Sequence, residues 1–143
     1  MVPQADQRVV RERLKLLNEY ISDLRALQDV DFKTYAENKL IRRTVERTLH
    51  LAIEACFDIG HHIIAQEGLR TPGDNKDVFV ILSEDDIIPS EALPRLTAMT
   101  SFRNLIVHDY ARIDDAVVYD ILRNRLNDLC AFAQAVVDYL GAD

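Results

Sequence analysis

Between residues 36 and 67, apolar side chains recur at Leu40, Ile41, Val45, Leu49, Ala52, Ile53, Cys56, Ile59, Ile63 and Ile64. Steps of three and four trace one face of a helix; a strand, whose faces alternate at every residue, cannot gather them. So long a stripe needs apolar partners along its length. Residues 6–28 supply one, with Val10, Leu14, Leu17, Ile21, Leu24 and Leu27. The C-terminal stretch supplies another, with Val117, Val118, Ile121, Leu122, Leu126, Leu129, Phe132, Val136, Val137 and Leu140. Asp114 suits the N-cap of that last helix, predicted at about 25 residues, and Gly68 stands where a left-handed residue closes the second. Asp29 to Phe32 reads as the break after the first helix, and residues 71–75, TPGDN, as a loop. Residues 78–82, VFVIL, are β-branched, but a lone strand would leave its backbone unpaired, so a short buried helix is predicted. Pro89, with Ser90 as N-cap, opens a helix to about residue 108, and Pro94 falls in its tolerant first turn. The prediction is an all-α, up-and-down bundle of about five helices in one domain spanning residues 1–143.

Composition narrows the function classes. A chain of 143 residues has room for one core, and 4 Gly with 4 Pro are few for an all-β fold. Cys56 and Cys130 sit in apolar surroundings with no basic neighbour to activate them, and read as buried thiols of a reduced, cytoplasmic protein. The polar N-terminus shows no signal-peptide pattern, and no apolar run approaches the roughly 18 residues of a membrane span. A net charge of −7 argues against indiscriminate nucleic-acid binding. The charge is uneven, however. Lys33, Lys39, Arg42, Arg43 and Arg47 face only Glu37 and Glu46 within residues 33–48. Arg95, Arg103 and Arg112 face only Asp109 within residues 95–113, whereas residues 78–94 carry acids alone. A confined phosphate site fits this pattern; a broad basic footprint does not.

Residues 101–110, SFRNLIVHDY, concentrate the chemistry. Arg103 is a permanent cation able to hold a phosphate through two hydrogen bonds, and His108 exchanges protons near neutrality. Such a pair suits phosphodiester cleavage without a metal: a base takes the ribose 2′-hydroxyl proton, an acid protonates the leaving 5′-oxygen, and a cation stabilises the transition state. With 13 arginines and 4 histidines, an Arg-x4-His pair arises by accident about 0.4 times in this chain. Requiring one of the 5 tyrosines two residues later lowers that to about 0.01. On a continuous helix, residues five apart differ by about 140° in azimuth and about 7.5 Å in rise. Arg103 and His108 of one chain therefore do not point at one spot, but two copies facing across a two-fold axis bring Arg103 of one near His108 of the other. Arg103 and Tyr110 share nearly one face, and Asn104 neighbours His108, placed to orient the imidazole or to bind RNA.

The Arg103, Asn104, His108, Tyr110 pattern resembles the motif of the HepT toxins, a branch of the HEPN superfamily of helical ribonucleases. The likeness extends through VERTLHLAIEACFDIGHHII, IIPSEALPRLTAMTSFRNLIVHDY and VYDILRNRLNDL, nearly the whole chain. The resemblance implies a metal-independent endoribonuclease toxin of a type VII toxin–antitoxin pair, homodimeric, with its motifs meeting at the dimer cleft. It needs no cofactor, and tRNA is the leading substrate. Arg103 would hold the scissile phosphate and His108 act as general acid or base. The implied antitoxin is an MntA-type minimal nucleotidyltransferase that transfers AMP to Tyr110, adding negative charge to a cation site.

Plainer readings stand beside these. Arg103 and His108 also fit a helix-terminal cation and a histidine at the helix dipole, and Tyr110 a packing aromatic. His50, Glu54 and His61 share one stripe of the residue types that hold a divalent ion, but His50 and His61 lie about 16 Å apart along the axis, too far for one ion without another chain. Glu54 or Asp58 is better suited to orienting a motif side chain or pairing with an arginine. Arg42, Arg43 and Arg47 extend a phosphate surface or form a solvated face. Asp120, Asp128 and Asp138 read as solvent-face charges. The alternative function is a non-catalytic helical binding module that partners a nucleotidyltransferase.

Overall fold

The computed structural model describes residues 4–108 and 113–141, and among these the chain is helical, without a strand. Its helices are α1 (Gln4–Leu27), α2 (Phe32–Glu37), α3 (Lys39–Glu67), α4 (Asn75–Glu84), α5 (Leu93–His108), α6 (Asp115–Asn124) and α7 (Leu126–Gly141). The all-α bundle is as the periodicity predicts. Two breaks raise the number of helices above the expected five.

The first break is capping chemistry. Asp31 opens α2 by accepting the Thr34 amide at 2.7 Å. Asn38 then ends α2 through its own N–H and opens α3 by accepting the Ile41 amide at 3.0 Å. The second break falls at Arg125, splitting the predicted final helix. No glycine or proline demands it, so packing decides: α6 lies on α2 and α3, while α7 lies mainly on α1. Asp114 caps α6 as expected, accepting the Ala116 amide at 2.8 Å. Gly68 ends α3 in the left-handed conformation, φ 65°. Ser90 does not cap α5: residues 90–92 form a 3₁₀ turn without a side-chain cap, and α5 begins at Leu93. Pro94 does fall in its first turn.

Helix α3 runs through the middle, about 43 Å long, and packs against each of the other six helices. The predicted stripes of α1 and α3 are buried apart from Leu27 and Ile41, which are half-buried, and Leu40, which is 76% exposed near the start of α3. Val117 and Val137 of the C-terminal stripe also face outward. The strand-like residues Val78, Phe79, Ile81 and Leu82 are buried on the predicted short helix α4. Phe79 joins the core aromatics, 5.6 Å from Phe57 and 5.7 Å from Phe132 between ring centroids. Tyr119 of α6 donates to Val30 O at 2.7 Å and packs on Tyr35. Arg70 grips Asp77 and Glu84 at 2.9–3.0 Å, holding both carboxyls below their ordinary pKa. Among the described residues no helix is long and apolar enough to cross a membrane.

Two sequence readings need correction. Cys56 is fully buried, and burial pushes its thiol well above the ordinary range. Cys130 is only partly buried, and Arg25 Nη2 lies 3.1 Å from its Sγ, a basic neighbour contributed by α1. Asp128, read as a solvent-face charge, is 6% exposed and meets Arg95 at 3.4 Å. It occupies the first turn of α7, where the helix dipole favours an anion.

Gly60 lets α3 and α4 approach closely: a Cβ there would collide with Val78 Cγ1 and lie 3.4 Å from Leu82 Cδ1. Replacing a helical glycine by alanine ordinarily gains about 1 kcal/mol. Here overpacking reverses the sign, and Gly60→Ala is expected to lose about 1–2 kcal/mol in urea unfolding. A stability gain would show that α3 and α4 do not meet this closely.

Candidate functional site

The site is built where α5 crosses the middle of α3. The inward arc of α5 carries Leu96, Met99, Phe102 and Ile106 into the core, and Arg103 lies within that same arc. Its side chain is therefore only 19% exposed, and its charge needs partners. Glu54 of α3 supplies the first, accepting from Arg103 Nε at 2.5 Å. Asn104 Oδ1 accepts from Arg103 Nη1 at 3.1 Å. The Phe57 ring, one turn beyond Glu54, lies 5.6 Å from the guanidinium carbon. Among the described residues nothing takes the Nη2 hydrogens.

A polar chain extends from this pair along α3. His50 Nε2 stands 3.3 Å from the same Glu54 oxygen, and its Nδ1 stands 3.4 Å from Arg47 Nη1. The expectation that Glu54 pairs with an arginine holds. Asp58 and His61 are exposed and stand outside this network. The carboxylate of the conceivable metal stripe is committed to Arg103 and His50, and among the described residues no three His, Cys, Asp or Glu side chains converge. Asn104 Oδ1 touches the arginine, an orienting contact to the guanidinium. His108 is the last residue of α5 and is exposed. The expected location of Tyr110 on the Arg103 face lies outside the described residues. Phe57 was not singled out in the sequence, and Arg47 and His50 were read there separately rather than as neighbours in one network. Their signal is position: Arg47, His50, Glu54 and Phe57 follow at helical steps of three and four on the face that meets Arg103.

Fold and site together describe a helical bundle that presents a braced arginine and an exposed histidine from one helix. The family model of the HepT-like ribonucleases matches residues 17–136, and the chain belongs to that family. It is 27% identical over 106 residues to the mRNA nuclease HepT of Shewanella oneidensis, covering 74% of this chain and 80% of that one. It is 24% identical over 132 residues to the tRNA nuclease HepT of Aphanizomenon flos-aquae, covering 92% and 90%. Its fold is similar to that of the tri-AMPylated HEPN toxin of Shewanella oneidensis in complex with its MNT antitoxin. The TM-score is 0.83 with 23% identity, over 91% of this chain and 97% of that one.

The bracing of Arg103 is open to measurement. In a double-mutant cycle of Glu54→Gln and Arg103→Gln read by denaturant unfolding, a coupling of about 1–2 kcal/mol is expected for this partly buried pair. Coupling indistinguishable from zero would mean that Glu54 does not hold the guanidinium.

Proposed function

We propose that this chain is the toxin of a type VII toxin–antitoxin pair, a cytoplasmic, metal-independent endoribonuclease that cleaves RNA, with tRNA as the substrate. The observation that carries the reading is the braced Arg103. Its Nε and Nη1 are held by Glu54 and Asn104, and the reading gives its Nη2 edge, which among the described residues has no partner, to a phosphate oxygen. A cation so held needs no rearrangement when charge develops on the phosphorane. His108 acts as the acid or base. Taking the 2′-hydroxyl proton lets that oxygen attack the phosphorus, and returning a proton to the departing 5′-oxygen breaks the chain. The products are a 2′,3′-cyclic phosphate and a 5′-hydroxyl.

A homodimer completes the site. Arg103 points toward α3, whereas His108 stands exposed at the end of α5, about 140° away in azimuth. A two-fold arrangement joins Arg103 of one copy to His108 of the other. The antitoxin in this reading is an MntA-type nucleotidyltransferase that silences the site by attaching AMP to Tyr110. The added phosphate then competes for the cation that the RNA requires. Two named nuclease relatives and the fold shared with an AMPylated toxin bound to its antitoxin support this assignment.

The test uses protein shown by mass spectrometry to carry no AMP, incubated with bulk tRNA in EDTA. Native protein is expected to cleave, and Arg103→Ala and His108→Ala each to lose about 100-fold or more. Subunit exchange between the two inactive variants is expected to restore about a quarter of native activity, because half the dimers are mixed and each mixed dimer holds one intact composite site. No cleavage of any RNA by the unmodified dimer would favour the binding module. Cleavage without recovery on mixing would place both residues of each site in one chain.

A further inference from the structure

The network that braces Arg103 opens at one end into a cavity of about 360 Å³ between α3 and α5, lined by Arg43, Glu46, Arg47, His50 and Ile106. Arg43, Arg47, His50 and Glu54 follow at steps of four, three and four, so they form one stripe within about 60° of azimuth. Arg42, their sequence neighbour, has turned away: it pairs with Asp115 at 3.8 Å and donates to Ala36 O. The structure thus divides the basic segment of α3 into a structural arginine and two arginines that line a cavity beside the candidate site. Ile106, one turn beyond Phe102 on the inward arc of α5, forms the apolar wall.

We infer that this cavity is a subsite for an RNA strand, holding the phosphodiester next to the one that is cut. The inference rests on the RNA-cleaving reading of Arg103 and His108. Chemistry selects the ligand. Two exposed arginines, Arg43 and Arg47, stand in the lining beside one buried carboxylate, Glu46. Arginine forks suit phosphate oxygens, and the volume lies within the range of small-ligand sites. Position selects the strand. Arg47 lies about 10 Å from Glu54 along α3, so a chain with its scissile phosphate at Arg103 reaches the cavity with its neighbouring nucleotide. His50 connects the two regions, touching Arg47 through Nδ1 and Glu54 through Nε2. A subsite of this kind reconciles RNA binding with an acidic chain, because the cations are confined to one path.

The test compares an oligoribonucleotide with a dinucleoside monophosphate, which has a scissile phosphate and no neighbour. For Arg43→Gln/Arg47→Gln, the ratio of kcat/KM for the longer substrate to that for the shorter is expected to fall about tenfold. An unchanged ratio, whether through equal losses or none, would overturn the subsite. A binding arm stands apart from cleavage, using uncut oligoribonucleotide and the His108→Ala protein. Adding the two glutamines is expected to lower the slope of log affinity against log salt by about 1.4, for two lost phosphate contacts on a single strand. An unchanged slope overturns the subsite. If native protein cuts no RNA, the cleavage reading fails, and the binding arm still decides the cavity's role. Displacement of the oligonucleotide by equimolar AMP would replace the strand with a mononucleotide as the occupant.

Discussion

Helix α3 touches every other helix of the bundle, and its packing is the constraint on which the remaining architecture depends. Its buried residues include Val45, Leu49, Ile53, Phe57, Ile59 and Ile63, spread around much of its circumference. Each neighbour must present an apolar face of matching shape, and Gly60 is the point where α4 approaches too closely for a larger residue. A central helix of this kind has little surface left for polar residues. Arg43, Arg47, His50 and Glu54 lie in one stripe on it, and Arg103 of α5 meets that stripe at Glu54.

The crossing is electrostatically demanding. A cation at 19% exposure is stable only with close partners, and Arg103 has a carboxylate, an amide oxygen and an aromatic face. The same partners fix the guanidinium in one orientation, which is what a group that stabilises a transient charge requires. Glu54 is therefore a positioning residue: its carboxylate reaches the arginine and, through His50, connects to Arg47. Binding surface and catalytic cation in the proposed mechanism draw on one continuous set of contacts along α3.

Where the structure departs from sequence-based expectation, the causes are physical and local. Helix α3 starts at Lys39 rather than at about residue 36, because the Asn38 amide closes α2 and its side chain caps α3. The break at Arg125 has no such residue behind it. Its stripe continues unbroken in period, and only the different partners of α6 and α7 separate them. Asp128 and Cys130 make the same point through long-range contacts, with Arg95 lying 33 positions away from Asp128 and Arg25 lying 105 from Cys130.

Much of the molecule was legible in residue order. Three- and four-residue periodicity determines the helices, glycine and aspartate mark Gly68 and Asp114 as caps, and the rarity of the Arg, His and Tyr spacing singles out residues 103–110. These are local properties, set by one turn of backbone and one side chain. Tertiary structure decided what those residues face. That Glu54 rather than Asp58 meets Arg103, that Asn104 holds the guanidinium, and that Arg47 lines a cavity while Arg42 does not depend on the azimuth at which α5 crosses α3. That angle follows from the summed packing of many apolar side chains. No single stretch of sequence encodes it.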